Sequence, residues 1–600
     1  MTTRGMAGIA GLLLAGCTTM PAAPPPVDAA PAVVIASPTA ADQNATFDKV
    51  GRTYIDILTA ENPVAATQLG DHRHDGELPA IDASARKTRA VMDKQLLQAL
   101  GQIDRSRLTP DNQVDYALLK NAVEYDLWDT ETLQTWAWNP QYYNSNASNA
   151  LYLLIARDFA PWPTRFEAIV SRMEKLPAFL AEERRQLDPR RVPKVYAETV
   201  AKQNAGIMEI VDAALLPEVE RSGVPRTRFD AALANLKAAV AEHQKWLDGV
   251  LVPNARGDFR LGPALYDRKM KFELMSSMTR PELKAKAQRA FNDTRAEMER
   301  LARSFPECDK GTQQQAIECA LGRSYARRAT RDTLEQVARD TLAQATDFVR
   351  EKGFVTMPSA PVQIVPMPVF NQGNSVAYDD APGPLEKEQP NFYTISPIPK
   401  EWTDQQAASF LTEYNLYMLH DLSIHEAMPG HYLQLDHANM NDDPLRGVLQ
   451  SGPFIEGWAV YGEGLMAEQG YLGGDATEDG KLFKLTMLKM RLRSITNTLL
   501  DIGIQTEGMT RDQAMELMMA GAFQQEREAA GKWLRAQLSS VQLLSYFTGY
   551  EEHTALREEA RQRWDKGFTL RRYNDEVLAH GSPPVKYVRA LMFDLPVPQE

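Results

Sequence analysis

Apolar residues recur at helical spacing along most of the chain. Phe47, Val50, Tyr54, Ile57 and Leu58 share one stripe, and Phe166, Ile169, Val170, Met173 and Leu176 share another. The longest pattern runs through Leu485, Leu488, Leu492, Ile495, Leu499 and Ile502, alternately three and four apart, and predicts a heptad-like apolar face. Long helices are therefore expected over 44–350 and again over 403–575. The interval 354–400 has a different rhythm. Its short β-branched and aromatic runs, Val362–Val365, Ser375–Tyr378 and Asn391–Ser396, are separated by proline and glycine and predict a small sheet. The fold class is mainly α, a large multi-helix fold with a small β-sheet just before a histidine-rich helix.

The N-terminus departs from this pattern. Arg4 precedes an apolar stretch from Met6 to Leu14, too short to span a bilayer and typical of a signal peptide. The stretch ends in Leu14-Ala15-Gly16-Cys17, which resembles a bacterial lipobox and makes Cys17 the expected site of lipidation. An ordinary signal peptide cut near Ala15 is the alternative. Thr18-Thr19 lack the aspartate of an inner-membrane retention signal, so an outer-membrane anchor facing the periplasm is expected. The domain reading is 1–17 signal peptide, 18–43 a Pro/Ala-rich tether, 44–353 an N-terminal helical region, and 354–600 the sheet with a helical catalytic region, continuous with it.

Charge narrows the function classes. With 66 basic and 79 acidic residues the net charge is −13. That balance argues against nucleic acid as a partner, and no Gly-rich phosphate loop is present. Contact with a membrane is expected only through Cys17. Of the three cysteines, Cys308 and Cys319 remain, a close pair expected to form a local disulfide in an oxidising compartment. A metal site there is the weaker reading, because no histidine or third cysteine lies nearby.

Four of the nine histidines, His420, His425, His431 and His437, lie close together. His425 is followed by Glu426, and Pro429-Gly430 precedes His431. In HExxH zinc peptidases two histidines one turn apart bind the metal, and the glutamate polarises its water. Here the histidines are six apart, which is roughly 240° around a regular helix. Pro429-Gly430 is expected to kink or bulge the helix and bring the rings together. Catalytic zinc takes a third protein ligand. Glu456 and Glu463 share one face of a downstream helix; Glu456 is the first choice and Glu463 the second.

His425-Glu-Ala-Met-Pro-Gly-His431 with Gln434, followed by Glu456-Gly-Trp-Ala-Val-Tyr-Gly-Glu463, resembles the DUF885 family of bacterial proteins. Arg491–Gly503, Tyr546–Gly549 and Asp575–Pro583 add weaker matches. Many members are lipoproteins of unknown function considered similar to zinc metallopeptidases, which implies a helical zinc-peptidase-like fold and a metal site. Gln505 departs from the family pattern, where many relatives carry histidine, and is assigned no role. The expected activity is hydrolysis of a peptide or other amide by a Zn2+ enzyme, with manganese or cobalt as possible substitutes for the zinc. His425, His431 and Glu456 would hold the metal and Glu426 would be the general base. Tyr546, His580 and Arg491 are candidate donors to the developing oxyanion. A substrate would pair beside Asn391–Ser396, with Tyr432, Trp458 and Tyr461 as candidate pocket residues. A non-catalytic metal-binding envelope lipoprotein and a zinc hydrolase of non-peptide amides or esters are the competing readings.

Overall fold

The apolar stripes become long packed helices in a computed structural model of the chain, which describes residues 42–358, 361–367, 377–386, 388–399 and 402–599. The lipobox with Cys17, the tether up to residue 41 and Ser375-Val376 of the second expected strand lie outside those residues. The first helix starts at Gln43, where the Asp42 side chain accepts a hydrogen bond from the Ala45 N–H. An Asp at this position satisfies one of the N–H groups that a helix start leaves without a partner.

In the N-terminal half, α1 (Trp162–Gln186) and α2 (Arg226–Trp246) pack together. Phe166, Ile169, Val170, Met173 and Leu176 are wholly buried on α1, with Phe166 against Phe229 of α2 at a ring separation of 5.7 Å. α3 (Arg280–Ala302) follows, and a disulfide links Cys308 to Cys319. α4 (Leu334–Lys352) then leads into the sheet.

The sheet contains β1 (Val362–Pro366), β2 (Ala377–Asp380) and β3 (Asn391–Ile395), in the order β1-β3-β2. β1 runs parallel to β3 with Val362 opposite Asn391, and β2 runs antiparallel with Ala377 opposite Ile395. This corrects the expectation that a peptide would pair beside Asn391–Ser396. β3 is the central strand and its backbone is engaged on both sides, leaving β2 as the edge nearest the histidines.

The C-terminal half is built from α5 (Leu416–Glu426), α6 (His431–Asn439), α7 (Gly452–Glu468), α8 (Glu478–Glu507), α9 (Glu526–Leu538) and α10 (Ser545–Trp564). The six apolar positions from Leu485 to Ile502 are all buried, but so are Thr486, Lys489, Thr496, Asn497 and Asp501. α8 is therefore a central helix touched from every side by α3, α5, α7, α9 and α10, not a helix with one covered face. Several of its polar groups are satisfied in place. Thr486 and Thr496 donate to Leu482 O and Leu492 O, and Lys489 Nζ donates to Glu413 Oε2 at 2.9 Å.

The two halves are joined by a buried ion pair between Arg446 and Asp115. Gln505, where the family pattern suggested histidine, is a structural strap. It accepts from Leu261 N–H and donates to Ala536 O and Ser539 O. The fold is mainly α, and among the described residues no helix is long and apolar enough to cross a membrane.

Candidate metal centre

α5 begins where the Asn415 side chain accepts from the N–H groups of Tyr417 and Met418. It ends at Glu426 rather than bending. Ala427 and Met428 both donate to Ser423 O, the Met428–Pro429 peptide is cis, and Gly430 donates to Ile424 O at 2.9 Å. A new helix, α6, starts at His431. The expected kinked or bulged helix is thus two helices with a tight junction. Proline has no N–H to continue the ladder. Gly430 is required by close approach, because a Cβ there would lie 1.8 Å from His425 O and 2.3 Å from Ile424 O.

The junction brings the two imidazoles together at 4.7 Å between centroids and 84° between planes. Glu456 arrives from α7. Its Oε2 lies 3.6 Å from His425 Nε2 and 3.5 Å from His431 Nε2. One ligand atom from each of the three residues falls within 4.8 Å of the others. Glu456 Oε2 is buried with no hydrogen-bond partner, as expected for an atom poised to ligate a cation. Two histidine nitrogens with one carboxylate form a donor set suited to zinc with an open position. Zinc therefore fits the residues present.

α7 is held against this junction from two sides. Trp458 Nε1 donates to Pro429 O at 2.8 Å. On an adjacent face α7 crosses α10 backbone to backbone, and a Cβ on Gly457 would lie 2.3 Å from Gly549 C. Glu463, the second-choice ligand, lies two turns beyond Glu456. Its Oε1 accepts from His425 Nδ1 at 2.6 Å, an arrangement that turns Nε2 toward Glu456. Metal-binding histidines are commonly oriented through their other nitrogen in this way.

The field at this point is strongly negative. Burial opposes a charged His425, yet Glu456, Glu463 and Glu426 outweigh it and raise that imidazole well above its ordinary range. Burial would raise the Glu456 carboxyl, but His425 and His431 hold it well below the usual value. Glu426 is raised chiefly by burial, and its Oε2 accepts the Asp379 backbone N–H at 3.2 Å.

Two further carboxyl groups were not anticipated. Asp421, one turn before His425, is fully buried with neither oxygen hydrogen-bonded, and burial followed by Glu463 raises its carboxyl well above the ordinary range. Asp379 on β2 is raised the same way by burial and then Glu426. The available signal was Asp421 itself, an acid within the apolar run Leu416–Ile424.

His425, Glu426, His431, Glu456, Glu463 and Asp379 form the floor of a cavity of about 920 Å³ between β2, α5, α7, α8 and α9. Tyr546 lies on its wall, its hydroxyl accepting from Arg535 at 3.2 Å. Burial and the nearby Glu456 raise the phenol above its ordinary range. Two other candidate donors are not brought to the cavity. Arg491 stands behind the floor, acting on Asp421 and stacked over Tyr550 at 4.9 Å. His580 sits beside Glu576 and Arg446, which takes its carbonyl oxygen. Tyr432, Trp458 and Tyr461 are buried and do not line this cavity. His420 and His437 are also engaged elsewhere, with the Tyr471 hydroxyl and Thr356 O.

Comparison with solved structures places the chain beside two candidate lipoproteins. One, of unknown function, from Shewanella oneidensis, is 32% identical with a TM-score of 0.78, covering 91% of this chain and 99% of its own. The other, from Colwellia psychrerythraea, is 16% identical with a TM-score of 0.74, covering 92% and 99%, and speaks to the fold alone. No curated protein matches. The family model described as "Bacterial protein of unknown function (DUF885)" matches residues 63–592, so the chain belongs to the DUF885 family.

Proposed function

We propose that the protein is a zinc-dependent hydrolase that cleaves amide bonds in short peptides within the cell envelope. The observation that carries this reading is the convergence of His425, His431 and Glu456 on one point at the cavity floor, with Glu426 alongside. When bound, zinc would supply Lewis-acid polarisation of the scissile carbonyl and acidification of the attacking water.

The chain's own groups supply the remaining parts. Glu426, oriented by the Asp379 N–H, would take a proton from water and pass it to the leaving amine. Burial raises that carboxyl above its ordinary range, which makes it a stronger base. Tyr546 keeps its proton and would donate it as a hydrogen bond to the carbonyl oxygen as charge develops. A cavity of about 920 Å³ suits a ligand of a few residues better than a folded protein.

The lipobox-like segment and the two candidate-lipoprotein neighbours support an envelope location. The lipid on Cys17 would be the only membrane contact, at the outer membrane. The test is metal analysis of the purified protein, then cleavage of a short-peptide library with and without chelator. Chelator-sensitive cleavage by a chain carrying one zinc is expected. A chain that takes up no zinc, or cleavage indifferent to chelator, would overturn the proposal.

A further inference from the structure

The wall of the cavity formed by α9 and its neighbours carries cations in excess of the acids that pair with them. Glu528, Gly531, Lys532 and Arg535 follow one face of α9 and all line the cavity. The acids on this wall are already taken. Glu528 is paired with Arg493 and accepts from the Tyr414 hydroxyl, while Glu413 is paired with Lys489. Two further arginines of this wall have no acidic partner. Arg527 stacks over Trp402 at 4.0 Å, and Arg535 donates to Gln542 and Tyr546. Neither is ion-paired among the described residues.

Lys532 is the unusual member. It is only 5% exposed, it lines the cavity, and it makes no hydrogen bond or ion pair among the described residues. Glu456 and Glu528 are near enough to act on it but pair with it in neither case. Burial, with Arg493 and Arg535 adding to it, pushes the ammonium well below the ordinary lysine range. An unpaired ammonium in such a place is costly, and an anion entering the cavity would offset that cost.

We infer that Lys532, supported by Arg535, is the anchor for a substrate carboxylate, placed so that the scissile bond of a short peptide lies over His425, His431 and Glu456. The carboxylate is the free C-terminus or an acidic side chain. Lys532 and Glu456 line the same cavity of about 920 Å³, so a short stretch of peptide would bridge anchor and metal. With the C-terminus as the source, the enzyme would trim peptides from that end. The inference rests on the hydrolase reading only for what happens to the bound peptide.

The test compares acetyl-Ala-Ala-Ala as free acid, the same peptide as its C-terminal amide, and acetyl-Ala-Glu-Ala amide. Binding is measured calorimetrically on zinc-loaded Glu426→Gln protein, and turnover on the wild type. The free acid is expected to bind roughly 10- to 100-fold tighter than the plain amide, the range for a charge-assisted hydrogen bond. Lys532→Met should erase that preference and raise KM far more than it lowers kcat, and Lys532→Arg should restore part of it. A Glu-containing amide that binds like the free acid identifies the side chain as the source; one that binds like the plain amide identifies the C-terminus. Equal binding of acid and plain amide by the unsubstituted anchor, with the Glu-containing amide no tighter, overturns the inference without needing any Lys532 variant to fold. So does a preference that survives Lys532→Met. Acid preference with no turnover leaves the anchor standing and removes the hydrolase reading; turnover without preference does the reverse.

Discussion

Glu463 offers the sharpest test of how the metal centre is organised. Its carboxylate takes the His425 Nδ1–H at 2.6 Å and is 1% exposed. Removing it leaves a buried imidazole N–H with no acceptor and frees the ring to turn, so Nε2 no longer points reliably toward Glu456. A hydrogen bond to a charged group contributes roughly 1.5–3 kcal/mol, which is about 10- to 100-fold in an equilibrium constant and matches the usual effect of altering a group that orients a metal ligand. Glu463→Gln keeps an acceptor in the same place and loses only the charge, so zinc affinity should fall about tenfold. Glu463→Ala should lose about a hundredfold. Fold stability should respond less, because removing Glu463 also relieves the repulsion it exerts on the buried Asp421. The assay is competition for zinc against a chromophoric chelator, with urea unfolding run in parallel. Both variants binding zinc within about twofold of wild type would refute the reasoning, since the 2.6 Å contact would then orient nothing.

Glu426→Gln should lower turnover by about 10²- to 10⁴-fold while zinc content, read by metal analysis, stays at the wild-type level. Gly430→Ala should cost about 3 kcal/mol or more in urea unfolding and weaken zinc binding, because its Cβ would lie 1.8 Å from His425 O; a stable, zinc-replete variant would show that the junction can yield. Burial raises the Asp501 carboxyl from 3.8 to about 7. The folded chain therefore holds a proton that the unfolded chain has released between those values. The associated stability is complete below about pH 4 and is lost as pH rises through about 7. Relative to Asp501→Asn, wild-type stability should fall by up to about 4 kcal/mol over that window, measured by urea unfolding at both ends; parallel pH profiles would contradict it.

Much of this was legible from residue spacing, and what was not has a common physical cause. The stripes at Phe166–Leu176 and Leu485–Ile502 marked real buried faces, because helical periodicity is a local property of the chain. The same stripe could not reveal that α8 is covered on every side, since burial of Thr486 and Lys489 depends on partners distant in sequence. β3 was recognisable as a strand, but its central position depends on pairing with both β1 and β2. Arg491 and His580 belong to matching pieces of the family pattern, but neither side chain lines the cavity. Lys532 carried no motif at all: only the approach of α9 to the cavity makes it a buried, unpaired cation.

The junction at Pro429-Gly430 explains why six-residue spacing works where a regular helix would separate the rings. A mismatch of roughly 240° exists only along a continuous helix, and here the helix stops, so the direction of His431 is set by α6 rather than by α5. The junction must then be fixed by something outside itself. Trp458 does this, donating to Pro429 O from α7 only two residues beyond Glu456. Between them Gly457 lets α7 meet α10 at backbone distance. Glu456-Gly457-Trp458 is therefore one device with three parts: a ligand, a close approach that sets how deep the ligand sits, and a latch that holds the histidines where the ligand can reach them. A change at Gly457 or Trp458 would act on metal binding without touching a ligand, through the distance between Glu456 and the two imidazoles.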